Sequence, residues 1–249
     1  MSEPLPGFRG PFNADQIRPG DPYELSNGHA IRCMSTGGRG SDANAVGAAV
    51  LKSDPDVEEA GVDTGYSPEP GTLRAPDVAV GNVPKEPGWV KGVPPLAVEY
   101  ADTGQDEEDL KLKISELLNA GTRWVWVVRL TGPRRVEVHE RGQKMRLVHP
   151  GEELEAPGVL RNRVPVDALY DWEAGSKVTL RNLLQREGYE SLDAVRDEGR
   201  LVALRNNVED LCEVLGIEMT AAKRDILEHA NVEELEALRA QIKNDREWT

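Results

Sequence analysis

The composition of the chain changes near Asp171, and that change limits the folds open to it. Ahead of it the sequence is rich in Gly and Pro, and its apolar residues come in short Val-rich runs: Val78-Ala79-Val80, Leu96-Ala97-Val98 and Trp124-Val125-Trp126-Val127-Val128. Runs of that length, closed by turn residues, read as buried strands. After it helix formers dominate. Leu201, Leu204, Val208, Leu211, Val214 and Leu215 recur at spacings of three and four between Ser191 and Gly216, as one or two helices that Gly199 would break and Gly216 would cap. Thr220 suits the start of a further helix, and Asn231 with Glu234 makes a capping box for the last. The reading is an extension over 1–20, a mixed α/β body over 21–170, and a helical appendage over 171–249 that packs on the body or on a second copy.

Within the body, Asn27-Gly28 between Tyr23-Glu24-Leu25 and His29 to Met34 marks a hairpin. Gly37 to Gly40 reads as a flexible turn. Asp42 to Leu51 reads as a helix with Ala45, Val46, Ala49 and Val50 on its apolar side, and Asp106 to Ala120 as a second helix stopped by Gly121. Val136 to His139 and Met145 to Val148 complete a meander. Hairpin, helix, two strands, helix, strand and meander make a sheet flanked by helices, not a doubly wound dinucleotide fold.

The 249 residues carry a net charge of −14, split into an excess of seven acids over residues 1–170 and seven over 171–249. That balance argues against a general nucleic-acid coat protein, which needs a basic face. One local exception is Arg129, Arg134, Arg135, Arg141, Lys144 and Arg146, interrupted only by Glu137 and Glu140. It is either the solvated face of a hairpin or a strip facing phosphates. No apolar run approaches the ~20 residues of a membrane helix, and MSEPLPGFRG lacks the plan of a secretory leader, so a cytoplasmic protein is expected. Cys33 and Cys212 support neither a disulfide framework nor a zinc ribbon. His29, His139, His149 and His229 show no metal spacing, and the phosphate-loop, dinucleotide, HExxH and GxSxG motifs are missing.

What remains is acids at strand positions. Asp77 follows Pro76 at the entry of one apolar run, and Glu99 closes another. A carboxylate beside a buried strand is costly unless it is paired, hydrogen-bonded or on a metal. Two on neighbouring strands suit one Mg²⁺ or Mn²⁺, whereas two strand-end residues in water need no metal. On the helix that follows, Leu110, Ile114, Leu117 and Leu118 form the buried stripe, and Lys111 and Lys113 flank its opposite edges. Either ammonium could snorkel back towards the strand ends, and periodicity does not choose between them. Two metal-binding carboxylates with a lysine are equipment for phosphodiester hydrolysis.

Leu73-Arg74-Ala75-Pro76-Asp77-Val78-Ala79-Val80, then Pro95-Leu96-Ala97-Val98-Glu99-Tyr100, then Asp109 with Lys113, then Gly121 and the tryptophan strand together resemble the Uma-two family. Its members are named restriction endonucleases and belong to the PD-(D/E)xK nuclease superfamily. The resemblance spans about residues 20–170 and includes the early Tyr23-Glu24-Leu25-Ser26-Asn27-Gly28-His29. It implies a restriction-endonuclease-like fold and a metal-dependent endonuclease, with DNA the expected substrate and a homodimer the expected assembly. Asp77 and Glu99 would hold Mg²⁺ or Mn²⁺, the main-chain carbonyl of Tyr100 would complete the shell, Lys113 would serve as the lysine, and Glu24 would support the site. The lysine is not two residues after Glu99, where Ala101 stands; the family places it on the following helix, and the distances to residues 117 and 121 favour Lys113 over Lys111. Asp102-Thr103-Gly104 replaces the family's Ser-Pro-Ser stretch, Leu117 replaces a tyrosine, and a histidine of the first helix is missing around Asn44. Two other readings are an inactive module on the same fold that binds nucleic acid or protein as a dimer, and a phosphoryl hydrolase of small nucleotides. Trp124 and Trp126 read as core or subunit packing, and Trp89, between Lys85 and Lys91, as an exposed ring for a base or a dimer contact.

Overall fold

A computed structural model describes residues 10–248. The opening nine residues, which carry most of the segment read above as no leader and half of the proposed extension, lie outside the described residues, as does Thr249. Contacts divide the chain into two units, Met1–Leu183 and Leu184–Thr249.

The first unit is built on a six-stranded sheet ordered β3 (Ala60–Val62), β4 (Val78–Val80), β5 (Leu96–Ala101), β6 (Trp124–Arg129), β7 (Arg135–Glu140) and β8 (Arg146–Val148). Only β5 and β6 run parallel. Parallel neighbours need a crossover, and the crossover here is helix α2 (Glu107–Ala120). Asp106 caps α2 by accepting the amides of Glu108 and Asp109, and Gly121 ends it at φ 127°, a conformation that favours glycine. Leu110, Ile114 and Leu117 of α2 pack against Ala97, Ala101, Val125 and Val127 on one face of the sheet.

The opposite face buries Val98, Tyr100, Trp124, Trp126, Val128, Val136 and Val138 beneath helix α1 (Gly38–Ser53) and the start of α3 (Trp172–Arg186). The two strand tryptophans are therefore core residues. α1 begins at Gly38, so the glycine cluster is a helix start and not a turn. Its buried face is Ala43, Val46, Gly47, Val50 and Leu51, with Ala45 and Ala49 turned away from the core. The stripe is displaced because Gly47 is the point of closest approach: a Cβ there would fall 1.7 Å from the Tyr100 hydroxyl, which donates to the carbonyl of Leu169 at 2.9 Å.

A separate two-stranded ribbon, β1 (Tyr23–Ser26) with β2 (His29–Arg32), turns at Asn27-Gly28, both at positive φ. Leu25 exchanges two backbone hydrogen bonds with Leu73, at 2.8 and 3.0 Å, and so pins β1 beside the segment leading into β4. Strand β3 and the short pair β9 (Glu153–Leu154) with β10 (Val164–Pro165) have no counterpart in the sequence reading. They are two or three residues long, too short to set a period.

Among the described residues the second unit, beyond the end of α3, holds α4 (Leu192–Leu215), α5 (Ala221–His229) and α6 (Val232–Asp245). Leu204, Val208, Cys212, Leu227, Leu235 and Ile242 close a core among them. Gly199 does not break α4. Gly216 caps it in the left-handed region, Thr220 caps α5, and Asn231 with Glu234 forms the capping box of α6.

Candidate active site

The register of the sheet places Val78 opposite Val98, so Asp77 stands across from Glu99. Directly opposed residues of antiparallel strands project from the same face, and that face is the one α2 covers. Asp77 Oδ2 accepts the Tyr100 amide at 2.6 Å. From α2, Lys113 reaches down to Glu99, with Nζ 2.9 Å from Oε1 and 3.1 Å from Oε2. The same ammonium donates to the Ala75 carbonyl at 2.7 Å and stands 3.0 Å from Oε1 of Glu24. Lys111 is exposed on the other edge of the helix. Of the two lysines left open by periodicity, Lys113 is the one at the acids.

Glu24 reaches the cluster because β1 is pinned by Leu25 to Leu73. In a strand successive side chains alternate, so Leu25 faces the small core of Phe12, Ile17 and Leu73 while Glu24 and Ser26 face the helix. Both Glu24 oxygens are engaged: Oε2 by Arg74 Nη1 at 3.0 Å, and Oε1 by Lys113 and by the Ala75 amide at 3.3 Å. Arg74, only 2% exposed, also binds Glu116 through Nε at 2.5 Å, and Ser26 donates to the other Glu116 oxygen at 2.5 Å.

Arg74, Glu116 and Ser26 escaped the sequence reading. The signals that could have found them are a lone arginine inside an apolar, proline-bounded run, and a glutamate three residues after Lys113 on one helix face. Asp63 escaped it too. It follows β3, holds φ 51°, and its amide approaches the Asp77 carbonyl at 3.4 Å. Asp109 is exposed and meets the cap of its own helix, not the acids.

Burial dominates the electrostatics. It pushes the Glu99 carboxyl up to about 8, with the nearby charges of Asp77 and Glu24 adding to the rise and Lys113 opposing it. Asp77 is raised mainly by its burial. Burial also works against the Glu24 carboxylate, but the ammonium of Lys113 and the guanidinium of Arg74 outweigh it and hold Glu24 below its ordinary value. Lys113 stays firmly protonated, because Glu24, Glu99 and Asp77 overcome its burial.

Two cations thus stand among four carboxylates, Glu24, Asp77, Glu99 and Glu116. The cluster is short of positive charge at the Asp77–Glu99 end. Glu99 Oε1 is buried and accepts no hydrogen bond, its contact being the charge of Lys113. An all-oxygen pair of carboxylates suits Mg²⁺ or Mn²⁺, which take one or two carboxylates and complete their shell with water or phosphate. A richer cage is not available: among the described residues no group of three or more His, Cys, Asp or Glu side chains is placed to hold a metal.

The basic stretch is not one strip. Arg129 pairs with Arg135 across β6 and β7, while Trp124 pairs with Glu140, so Arg129, Arg134 and Arg135 lie at one end of the sheet and Arg141 at the other. Arg129 is held by Glu107 and Glu137, Arg135 by Glu137, and Arg134 lies 5.0 Å over the Tyr170 ring. Arg141, Lys144 and Arg146 are exposed. Trp89 is not an exposed ring: its Nε1 donates to the carbonyls of Ala14 and Ile17 at 2.9 and 3.0 Å, and the ring packs with Phe12, Leu25 and Leu73.

A mixed sheet with paired acids on adjacent central strands, under a crossover helix that supplies a lysine, is a restriction-endonuclease-like fold. The Uma2 family model, described as "Putative restriction endonuclease", matches residues 12–167, and the chain belongs to that family. A crystal structure of "a putative nuclease belonging to DUF820" from Anabaena variabilis ATCC 29413 is similar in fold, with a TM-score of 0.55 and 17% identity over 65% of this chain and 98% of that one. No curated protein matches the chain. Among the described residues no helix is long and apolar enough to cross a membrane.

Proposed function

We propose that the chain is a divalent-metal-dependent endonuclease that hydrolyses phosphodiester bonds in DNA. The observation that carries this reading is the convergence of Asp77, Glu99 and Lys113 on one face of the sheet, with the lysine ammonium 2.9 Å from Glu99 and Glu24 saturated by cations behind it. Asp77 and Glu99, with the main-chain carbonyl of Tyr100, are the groups that would hold Mg²⁺ or Mn²⁺. Such an ion supplies charge neutralisation at the phosphate and a more acidic water. Lys113 stays charged throughout and serves to orient the attacking water and to stabilise the charge gathering on the phosphate oxygens. Glu24 supports the site by keeping the ammonium in place. A cytoplasmic homodimer is the assembly that goes with this reading, and gel filtration with light scattering tests it.

Plasmid nicking in Mg²⁺ or Mn²⁺ is the direct test. Asp77→Ala is expected to reduce nicking at least 100-fold while the chain stays folded. Nicking that survives the substitution, in protein free of contaminating nuclease, sinks the assignment. A wild type that binds no Mn²⁺ by calorimetry favours an inactive binding module on the same fold.

A further inference from the structure

Arg74 belongs to no part of the proposed metal set, yet it is the most deeply buried charge in the cluster, at 2% exposure. Its guanidinium joins two separate elements: Nη1 binds Glu24 on β1, and Nε binds Glu116 on α2. Its third nitrogen, Nη2, is buried and has no hydrogen-bond partner. As a structural tie this is expensive, because a buried ion pair seldom repays its desolvation and an unsatisfied donor adds to the cost. What the arrangement gives is direction. The next residue, Ala75, uses its carbonyl to accept Lys113 Nζ and its amide to reach Glu24. Two residues further on stands Asp77. One extended segment therefore fixes the lysine from below through Ala75 and from behind through Arg74 and Glu24.

We propose that Arg74 is a positioning residue: by clamping Glu24 and Glu116 it sets the approach of the Lys113 ammonium to Glu99. The inference rests on the nuclease reading for its purpose but not for its geometry. Glu116 lies three residues after Lys113, on the same side of α2, so the Arg74–Glu116 bond fixes the rotation of the helix that carries the lysine. The planar fork matters because Nη1 and Nε are fixed relative to one another and point at the two carboxylates, a rigid geometry that a lysine's single flexible ammonium does not reproduce.

The test is a footprint of lysine reactivity by reductive methylation of the full-length, metal-free chain, read peptide by peptide. Lys111 is exposed and serves as the internal standard. In the wild type Lys113 is expected to react at least tenfold more slowly than Lys111. In Arg74→Lys that protection drops by tenfold or more, with Lys111 unchanged. Glu116→Gln leaves Arg74 on Glu24 and cuts only the tie to α2; read in parallel, it moves the same ratio in the same direction, by about threefold or more. Steady-state nicking adds a second readout: kcat falls with KM and Mn²⁺ affinity held, and the loss disappears in a Lys113→Ala background because Arg74 acts through that lysine. Lys113 protection unchanged in both folded variants overturns the proposal, as do losses of kcat that add to those of Lys113→Ala. A wild type that fails to nick overturns the nuclease reading, while the methylation ratio still decides the role of Arg74.

Discussion

Glu99 is a carboxyl whose protonation is coupled to folding. Its value in the folded chain lies near 8, above its ordinary value of 4.5, so between these limits the folded state holds a proton that the unfolded state has released. Stability then falls as pH rises through that window, by up to about 1.4 kcal/mol for each pH unit in which the difference is fully expressed. Melting temperature in chelator is expected to decline from about pH 5 to pH 8, and Glu99→Gln to flatten that decline; a wild-type curve with no decline would contradict the assignment of this proton. The candidate acids Asp77 and Glu99 stood out in the sequence because a carboxylate at the end of an apolar run is rare enough to need a reason. Arg74 was not legible, because a single arginine shows neither burial nor partner until β1 and α2 are in place.

The elements were legible where capping residues or an unbroken apolar run marked them. The capped helices α2, α5 and α6 and strands β5 and β6 stand close to where periodicity and turn residues put them. The three-residue β3 and the pair β9–β10 were invisible, since they are short and, unlike the equally short β4 (Val78–Val80), carry no unbroken buried apolar run. Helix α1 shows a different limit. Its apolar stripe was drawn through Ala45 and Ala49, but the helix is rotated onto Gly47 because the Tyr100 phenol occupies the space a side chain would need. Gly47→Ala is accordingly expected to destabilise the first unit by about 1–3 kcal/mol through overpacking, and Tyr100→Phe in the same chain to recover part of that loss. Urea denaturation of the single and double variants measures both; an additive pair would show that residues 47 and 100 do not interfere. Tyr100 follows Glu99 directly, so this contact also holds the acid-bearing strand.

Across the whole molecule, the division at Leu183 separates a nuclease-type unit from a helical one with its own core. A fragment of residues 184–249 is expected to give a helical circular dichroism spectrum and a cooperative melt by itself. A fragment of residues 1–183 is expected to keep Mn²⁺ affinity and nicking within about threefold of the full chain, with loss of nicking in a folded fragment assigning the helical unit a share in substrate handling. The net charge of −14 looks different at this scale. Half of the acid excess lies from Asp171 onwards, and in the first unit several acids are already neutralised in place by Arg74, Lys113, Arg129 and Arg39.

The parallel pairing within the six-stranded sheet, β5 with β6, has a consequence for how the candidate site comes together. Antiparallel neighbours can zip from a local turn, but these two strands cannot meet until the intervening helix has folded back across them. That helix carries Lys113. The contact between Lys113 and Glu99 is therefore formed by the same long-range closure that completes the sheet, which is a slow and late class of event in folding. A chain with an unfinished sheet therefore lacks the Lys113–Glu99 contact, and the proposed chemistry would wait on the completed topology.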